Sequence, residues 1–178
     1  GGLIGATYFR EVKLRAIRGE DIRPYHAIHR SHIATDNLNP LIFSLLANDL
    51  FVGFTRFTYG GHSYVRDRAY TFEEQLNLDT EGILNKKVID YRQAESAGEI
   101  PILVFSPTIV NDGRKLYISA QPMAFMNADT GLNPTYTNTK FSGIDFRSLM
   151  AAQDGDSLRL LSAMRMSATF PYITPNTT

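Results

Sequence analysis

No cysteine occurs in the 178-residue chain, so it holds no disulfide, no thiolate metal ligand and no cysteine nucleophile; the absence leaves the redox compartment open. An excess of charge of either sign is missing too, since 18 basic residues balance 18 acidic ones. Without a global field the chain has no general attraction for nucleic acid or for an anionic membrane surface, and recognition has to be local. Nor is there an uninterrupted apolar run of the roughly 18 residues that a membrane span wants. The nearest approach, Leu41 to Phe57, is broken by Asn48, Asp49 and Arg56 and reads as a helix buried in protein. The opening residues carry no long apolar stretch of the secretory kind. Internal repeats and low-complexity tracts are absent, which predicts one domain over 1–178.

The residues that are present suit a globular fold with a substantial core: 43% are hydrophobic and 20% charged. From Leu3 to Ile17 apolar residues recur at helical spacing, with Gly19 placed to end the helix. A second helix is expected through "EDIRPYHAIHRSHIA", begun or broken at Pro24, and a third over the apolar run; "TYGGHSY" then reads as a loop. Thr71 and Glu74 have the spacing of a capping box, so a helix is expected to start there, and another over Glu81 to Ala97 with Gly98 as its C-terminal cap. The period then changes. "IPILVFSPTIV" is almost wholly apolar, which predicts that Ile102 to Val110 is a central strand covered on both faces. Asp112-Gly113 offers a tight turn into a second strand, "KLYISAQP". A surface loop is expected from Met123 to Ser142, and a last helix capped at Asp156 or Ser157 should run through Leu158 to Ala168 and stop at Pro171. Helices on either side of a buried strand predict a layered α/β fold.

Three stretches agree on one family. "SAMRMSATFPYITP" (Ser162 to Pro175) resembles the segment A-x-R-A-S-A-A-x-P of patatin-like phospholipases, which lies shortly before their catalytic aspartate. "PILVFSPTIVNDGRKLYIS" resembles their buried strand and hairpin, and "GGLIGATYFRE" resembles the stretch just after their nucleophile serine in G-x-S-G-G. The resemblance implies an α/β sandwich with a central, mainly parallel sheet flanked by helices, and a Ser-Asp dyad that cleaves lipid acyl esters through an acyl-serine intermediate. It places the serine immediately before Gly1 and the aspartate beyond Thr178, so that 1–178 would be a central portion without either catalytic residue. Gly1 and Gly2 would form the downstream side of the nucleophile elbow and its oxyanion site, where a helix aims free amides at developing charge. Phe170 and Pro171 would line the pocket; with Met166 and Thr169, Phe170 departs from the small residues usual there. The resemblance implies a lipid or acyl-ester substrate, transient contact with a membrane surface, and no metal or organic cofactor.

Other patterns carry less. His26, His29 and His32 could line one arc of a helix as zinc ligands, but nothing obvious completes the shell, and a surface role fits them. Ser106, Ser119 and Ser167 lie in no G-x-S-x-G turn. "GGLIGA" can be read as a degenerate dinucleotide turn, which keeps open a non-catalytic α/β binding domain with a glycine-rich phosphate turn. Arg10, Lys13, Arg15, Arg18 and Arg23 could meet lipid phosphate; as a solvated helix face they would be balanced by Glu11, Glu20 and Asp21. Phe51, Phe54, Phe57 and Tyr59 could line an acyl channel or belong to the core.

Overall fold

A computed structural model describes residues 2–25, 27, 31, 39, 42–43, 46–47, 51, 55–59, 62–126 and 143–169. The fold of these residues mixes helices with small sheets. Helix α1 (Gly2–Ile17) is followed by the antiparallel hairpin β1 (Thr55–Tyr59) and β2 (His62–Arg66), then α2 (Arg68–Asp79), a 3-10 turn (Val88–Tyr91) and α3 (Arg92–Ser96). Further on come β3 (Leu116–Tyr117), β4 (Ile144–Asp145), α4 (Phe146–Leu149) and α5 (Leu160–Ala168).

Local chemistry sets the helix ends. At the end of α1 the Gly19 amide reaches Ala16 O and the Glu20 amide reaches Arg15 O, at 3.0 Å each, with Gly19 at φ +78°. This is the paired closure that glycine permits because no Cβ opposes a positive φ. The same closure ends α3 at Gly98, as expected. At the end of α2 it is made by Glu81, a residue with a side chain, at φ +51°. Helix α2 begins earlier than the capping-box spacing of Thr71 and Glu74 predicts. Asp67 is the N-cap and accepts from the Tyr70 amide at 2.9 Å, while the Thr71 hydroxyl donates to Asp67 O. A carboxylate one turn upstream outcompetes a hydroxyl for the free amides.

The core gathers Leu76 of α2, Leu84, Val88 and Tyr91, Ile100, Phe105, Ile118, Phe146 and the inner face of α5, with Ile4 and Leu14 of α1 packed against it. Leu84, Phe105, Ile118, Leu160 and Leu161 are essentially sealed from solvent, each worth about 1.5–3 kcal/mol of burial. Backbone bonds from Val88 N to Leu158 O (2.9 Å) and from Leu160 N to Lys86 O (2.7 Å) tie the middle of the chain to the start of α5. Gly143 lets the Tyr117 ring approach so closely that an added Cβ would stand 1.9 Å from it.

The central parallel sheet is not found among the described residues. The stretch from Ile102 to Ile109 is extended but one-sided, and Val110 belongs to the turn that follows. Phe105 is buried and exchanges both backbone bonds with Ile118, Ile109 N donates to Arg114 O, and Leu116 N donates to Pro107 O. Ile102 and Val104 are exposed and backbone pairing runs to the 114–118 side alone among the described residues, so the strand is an edge with one bare face and not the covered centre its apolar composition predicts. A continuous apolar run fits a strand with an exposed face as readily as one with both faces covered, because composition does not report what lies outside. The turn at Asp112-Gly113 forms as expected, with Gly113 at φ +75°. Beyond the arm, β3 pairs with β4 in parallel over two residues only, and this is the extent of parallel pairing among the described residues.

Other expectations need adjustment. The helix over Glu81 to Ala97 is reduced to the 3-10 turn and α3, because the reversal at Glu81 and Gly82 interrupts it. Residues 55–57, placed at the end of the third helix, lie in β1, and Thr58, Tyr59, His62, Ser63 and Tyr64 of the expected loop "TYGGHSY" are paired residues of β1 and β2. The last helix starts at Leu160 with Arg159 as N-cap, while Asp156 and Ser157 form a separate 3-10 turn. Half of the residues of the second and third expected helices, and residues 127–142 of the surface loop, lie outside the described residues.

Candidate functional site

Helix α1 begins at Gly2, directly behind the first glycine of the pair. Gly1, Phe170 and Pro171 lie outside the described residues, so the convergence expected of elbow and pocket segment does too. Helix α5 delivers the chain to Thr169, whose hydroxyl closes the helix on Arg165 O at 3.0 Å.

The chemistry that α1 carries into the core is ionic. Thr7, Arg10 and Glu11 are buried, and with Leu14 they form one i, i+3, i+4, i+7 stripe facing inward. Arg10 pairs with Glu95 of α3, with both side chains sealed from solvent. Glu11 receives Lys86 Nζ at 2.7 and 2.8 Å and the Tyr91 hydroxyl. Tyr91 lies under both cations, with the Arg10 guanidinium 4.4 Å and Lys86 Nζ 5.6 Å from its ring centre. Glu95 also accepts from the Leu103 amide (3.3 Å) and from Gln121 Nε2 (3.2 Å), which in turn holds Arg92 O. One knot therefore joins α1, α3, the 3-10 turn and the edge strand. Burial pushes the Glu95 carboxyl up, against the downward pull of Arg10, the Leu103 amide and Gln121. Burial likewise draws the Arg10 guanidinium down, opposed by Glu95. Burial raises the Tyr91 phenol far above its ordinary range, and the Glu11 carboxylate adds to the rise.

A second set links α2 to α5: Glu73 accepts from Arg165 Nε (2.6 Å) and from the Ser162 hydroxyl (2.9 Å), with Arg159 at 3.9 Å. A serine on a carboxylate resembles half of a nucleophilic dyad. Glu73 is already gripped by one guanidinium and flanked by a second, however, an arrangement that ties two helices together and leaves little room for a reacting group. A shallow concavity of about 230 Å³ is lined by Arg147, Ala151, Asp154, Gly155 and Asp156. Its cation is engaged, since Arg147 grips Asp156 at 2.6 and 3.0 Å. That bond holds the Asp156 carboxyl below the usual range, and the lining is acidic on balance, unsuited to phosphate.

The remaining sequence candidates divide. Arg10 and Glu11 are not part of a solvated face. Their place on the stripe with Thr7 and Leu14 was the available signal, masked by their charge. Arg15 and Arg18 meet Glu20 at 3.2 and 3.3 Å, and Arg23 meets Asp21 at 2.9 Å, so local acidic residues balance these cations. Phe57 stacks on Tyr64 at 5.6 Å and meets Tyr70 of α2 in a tilted contact at 4.8 Å, as part of the hairpin's packing on α2, while Phe51 is exposed. Phe54 and the side chain of Tyr59 lie outside the described residues, as do His26, His29 and His32. Among the described residues no cluster of metal-ligating side chains occurs, and no helix is long and apolar enough to cross a membrane. Ser119 is buried and accepts from the Gln121 amide at 3.3 Å; Ser106 and Ser167 are exposed. Compared with known proteins, the chain matches no family model, no curated protein and no solved structure.

Proposed function

We propose that residues 1–178 are the central portion of a patatin-like acyl hydrolase, an enzyme that cleaves lipid acyl esters through an acyl-serine intermediate. The observation that carries the reading is α1, which starts at the second of two glycines and is anchored in the core by Arg10 and Glu11. A nucleophile elbow needs both features: small residues where the chain turns sharply, and a rigid helix whose free amides face the developing oxyanion. The resemblance of Ser162 to Pro175 supports the same reading, as does the Asp112-Gly113 turn, although the strand before that turn is one-sided where the family's is buried. The layered sandwich with its mainly parallel sheet belongs, in this proposal, to the parent enzyme. The serine would stand immediately before Gly1 and the aspartate that accepts its proton beyond Thr178; backbone amides would stabilise the oxyanion, and Phe170 and Pro171 would border the acyl group.

The test compares three proteins on a short-chain p-nitrophenyl ester and on phospholipid vesicles: the parent, the parent with the serine before Gly1 changed to alanine, and the 178-residue chain. Turnover by the parent alone is expected, because removing one member of a nucleophile-base set costs on the order of a millionfold in rate. A parent gene without G-x-S ahead of Gly1, or an alanine variant as active as the parent, would end the proposal.

A further inference from the structure

The edge of the sheet offers one feature that the proposed chemistry does not use. Register along the arm is consistent: Phe105 opposes Ile118 and Thr108 opposes Lys115. The bonds made by residues 105, 107 and 109 all point toward the 114–118 strand. In extended chain, successive residues direct their backbone groups to opposite sides, so the amides and carbonyls of Ile102, Val104, Ser106 and Thr108 point away from it. These groups have no partner among the described residues. The side chains of the same four residues are exposed, with Ile102 at 54% and Val104 at 36%.

Protein edges of this length are usually blunted by proline, lysine or a bulge. Here the two prolines, Pro101 and Pro107, both fall on the register that faces inward, so every open-edge amide keeps its proton. From Ile100 to Asn111 there is no charged residue at all. The strip is also self-complementary. Antiparallel pairing about Ser106 sets Ser106 against Ser106 and Val104 against Thr108 on either side of the axis, and the outward amides of these residues meet outward carbonyls. The nearest charges, Glu99 at one end and the Asp112–Arg114 pair at the other, favour this direction. Antiparallel pairing brings Glu99 to a neutralised pair, whereas parallel in-register pairing would oppose Glu99 to Glu99.

We propose that residues 102–109 form a two-fold interface at which a second copy of this chain adds its own edge strand, antiparallel and centred on Ser106. The interface is isologous, so it closes at the dimer and leaves no further edge to grow from. It does not rest on the hydrolase reading; a parent sheet that continued past this edge would occupy the strip, so a dimer of the 178-residue chain counts against that continuation.

Light scattering on the eluting 178-residue chain, loaded from about 1 μM to about 200 μM, should show a dimer that forms with concentration. Ser106→Pro removes the central outward amide while leaving the inward bonds of Phe105, Pro107 and Ile109 intact; it should raise the dimer dissociation constant at least about tenfold with an unchanged far-ultraviolet spectrum. Ser106→Lys, which sets two like charges directly opposite each other on the axis, should do the same if the proline variant fails to fold. Hydrogen exchange of the 104, 106 and 108 amides should slow as the dimer forms. A chain that stays monomeric through the whole range, or a folded variant that dimerises as well as the parent chain, overturns the proposal.

Discussion

At the scale of single residues, the pairing of Arg10 with Glu95 decides how α1 is held. Both side chains are withdrawn from water, and Glu95 is further fixed by Leu103 N and Gln121. A buried pair adds little net stability over a well-packed apolar pair, yet removing one member strands the other in a medium that cannot solvate it. Arg10→Ala should therefore cost about 3–5 kcal/mol in urea unfolding, whereas the double change Arg10→Met with Glu95→Leu should cost much less than the sum of the two single changes. Additive losses would show that the two residues act separately. This pair was not legible in the sequence, because a charged residue on an inward stripe looks like an interruption of the stripe and its partner lies 85 positions away.

At the scale of elements, α1, α2 and α3 close with the same backbone device, and of these only α2 places a residue other than glycine at the first reversed position, with Gly82 following it. Glu81 holds φ +51°, where an L side chain crowds the following carbonyl. Its backbone amide bonds to Leu78 O at 3.0 Å irrespective of side chain, so a glycine there keeps the closure and sheds the strain. Glu81→Gly should raise stability by about 0.5–1 kcal/mol after the loss of unfolded-state restriction is counted, with α2 fraying more slowly by hydrogen exchange. A fall in melting temperature would contradict this account. Elements are legible in the sequence where a local signal fixes them, as with Gly19, Gly98 and the Asp112-Gly113 turn. They are not where two local signals compete, as with Asp67 against Thr71, or where long-range cover is at issue, as with Ile102 to Val110.

At the scale of the whole molecule, the mixture of helix and strand was foreseeable and the arrangement of the sheet was not. Alternation of burial along 102–110 depends on which strands flank it, and apolar composition is silent on that point. The proposed site follows the same division, since the α1 start at Gly2 was legible while the ionic knot behind it was not. That knot also sets an alkaline limit on the fold. The Tyr91 phenol keeps its proton far above the usual tyrosine range, chiefly through burial and next through Glu11. A group whose folded value is raised contributes stability that is fully present below its unfolded value, near pH 10, and is lost as pH climbs from there toward the folded value. Stability should fall by up to about 1.4 kcal/mol per pH unit above about pH 10 on this account, and Tyr91→Phe should flatten that slope while lowering stability at neutral pH. An unchanged alkaline slope in the variant would assign the limit to other groups.

Tyr91 has an optical consequence as well. The chain contains no tryptophan and nine tyrosines, so its ultraviolet emission comes chiefly from phenol rings, the eleven phenylalanines emitting weakly. An excited phenol is a far stronger acid than one in its ground state, and Tyr91 already directs its proton at the Glu11 carboxylate. Excitation at this ring should therefore drain into proton transfer before light is emitted. The folded chain should keep that lamp dark, and loosening α1 from the core should switch it on.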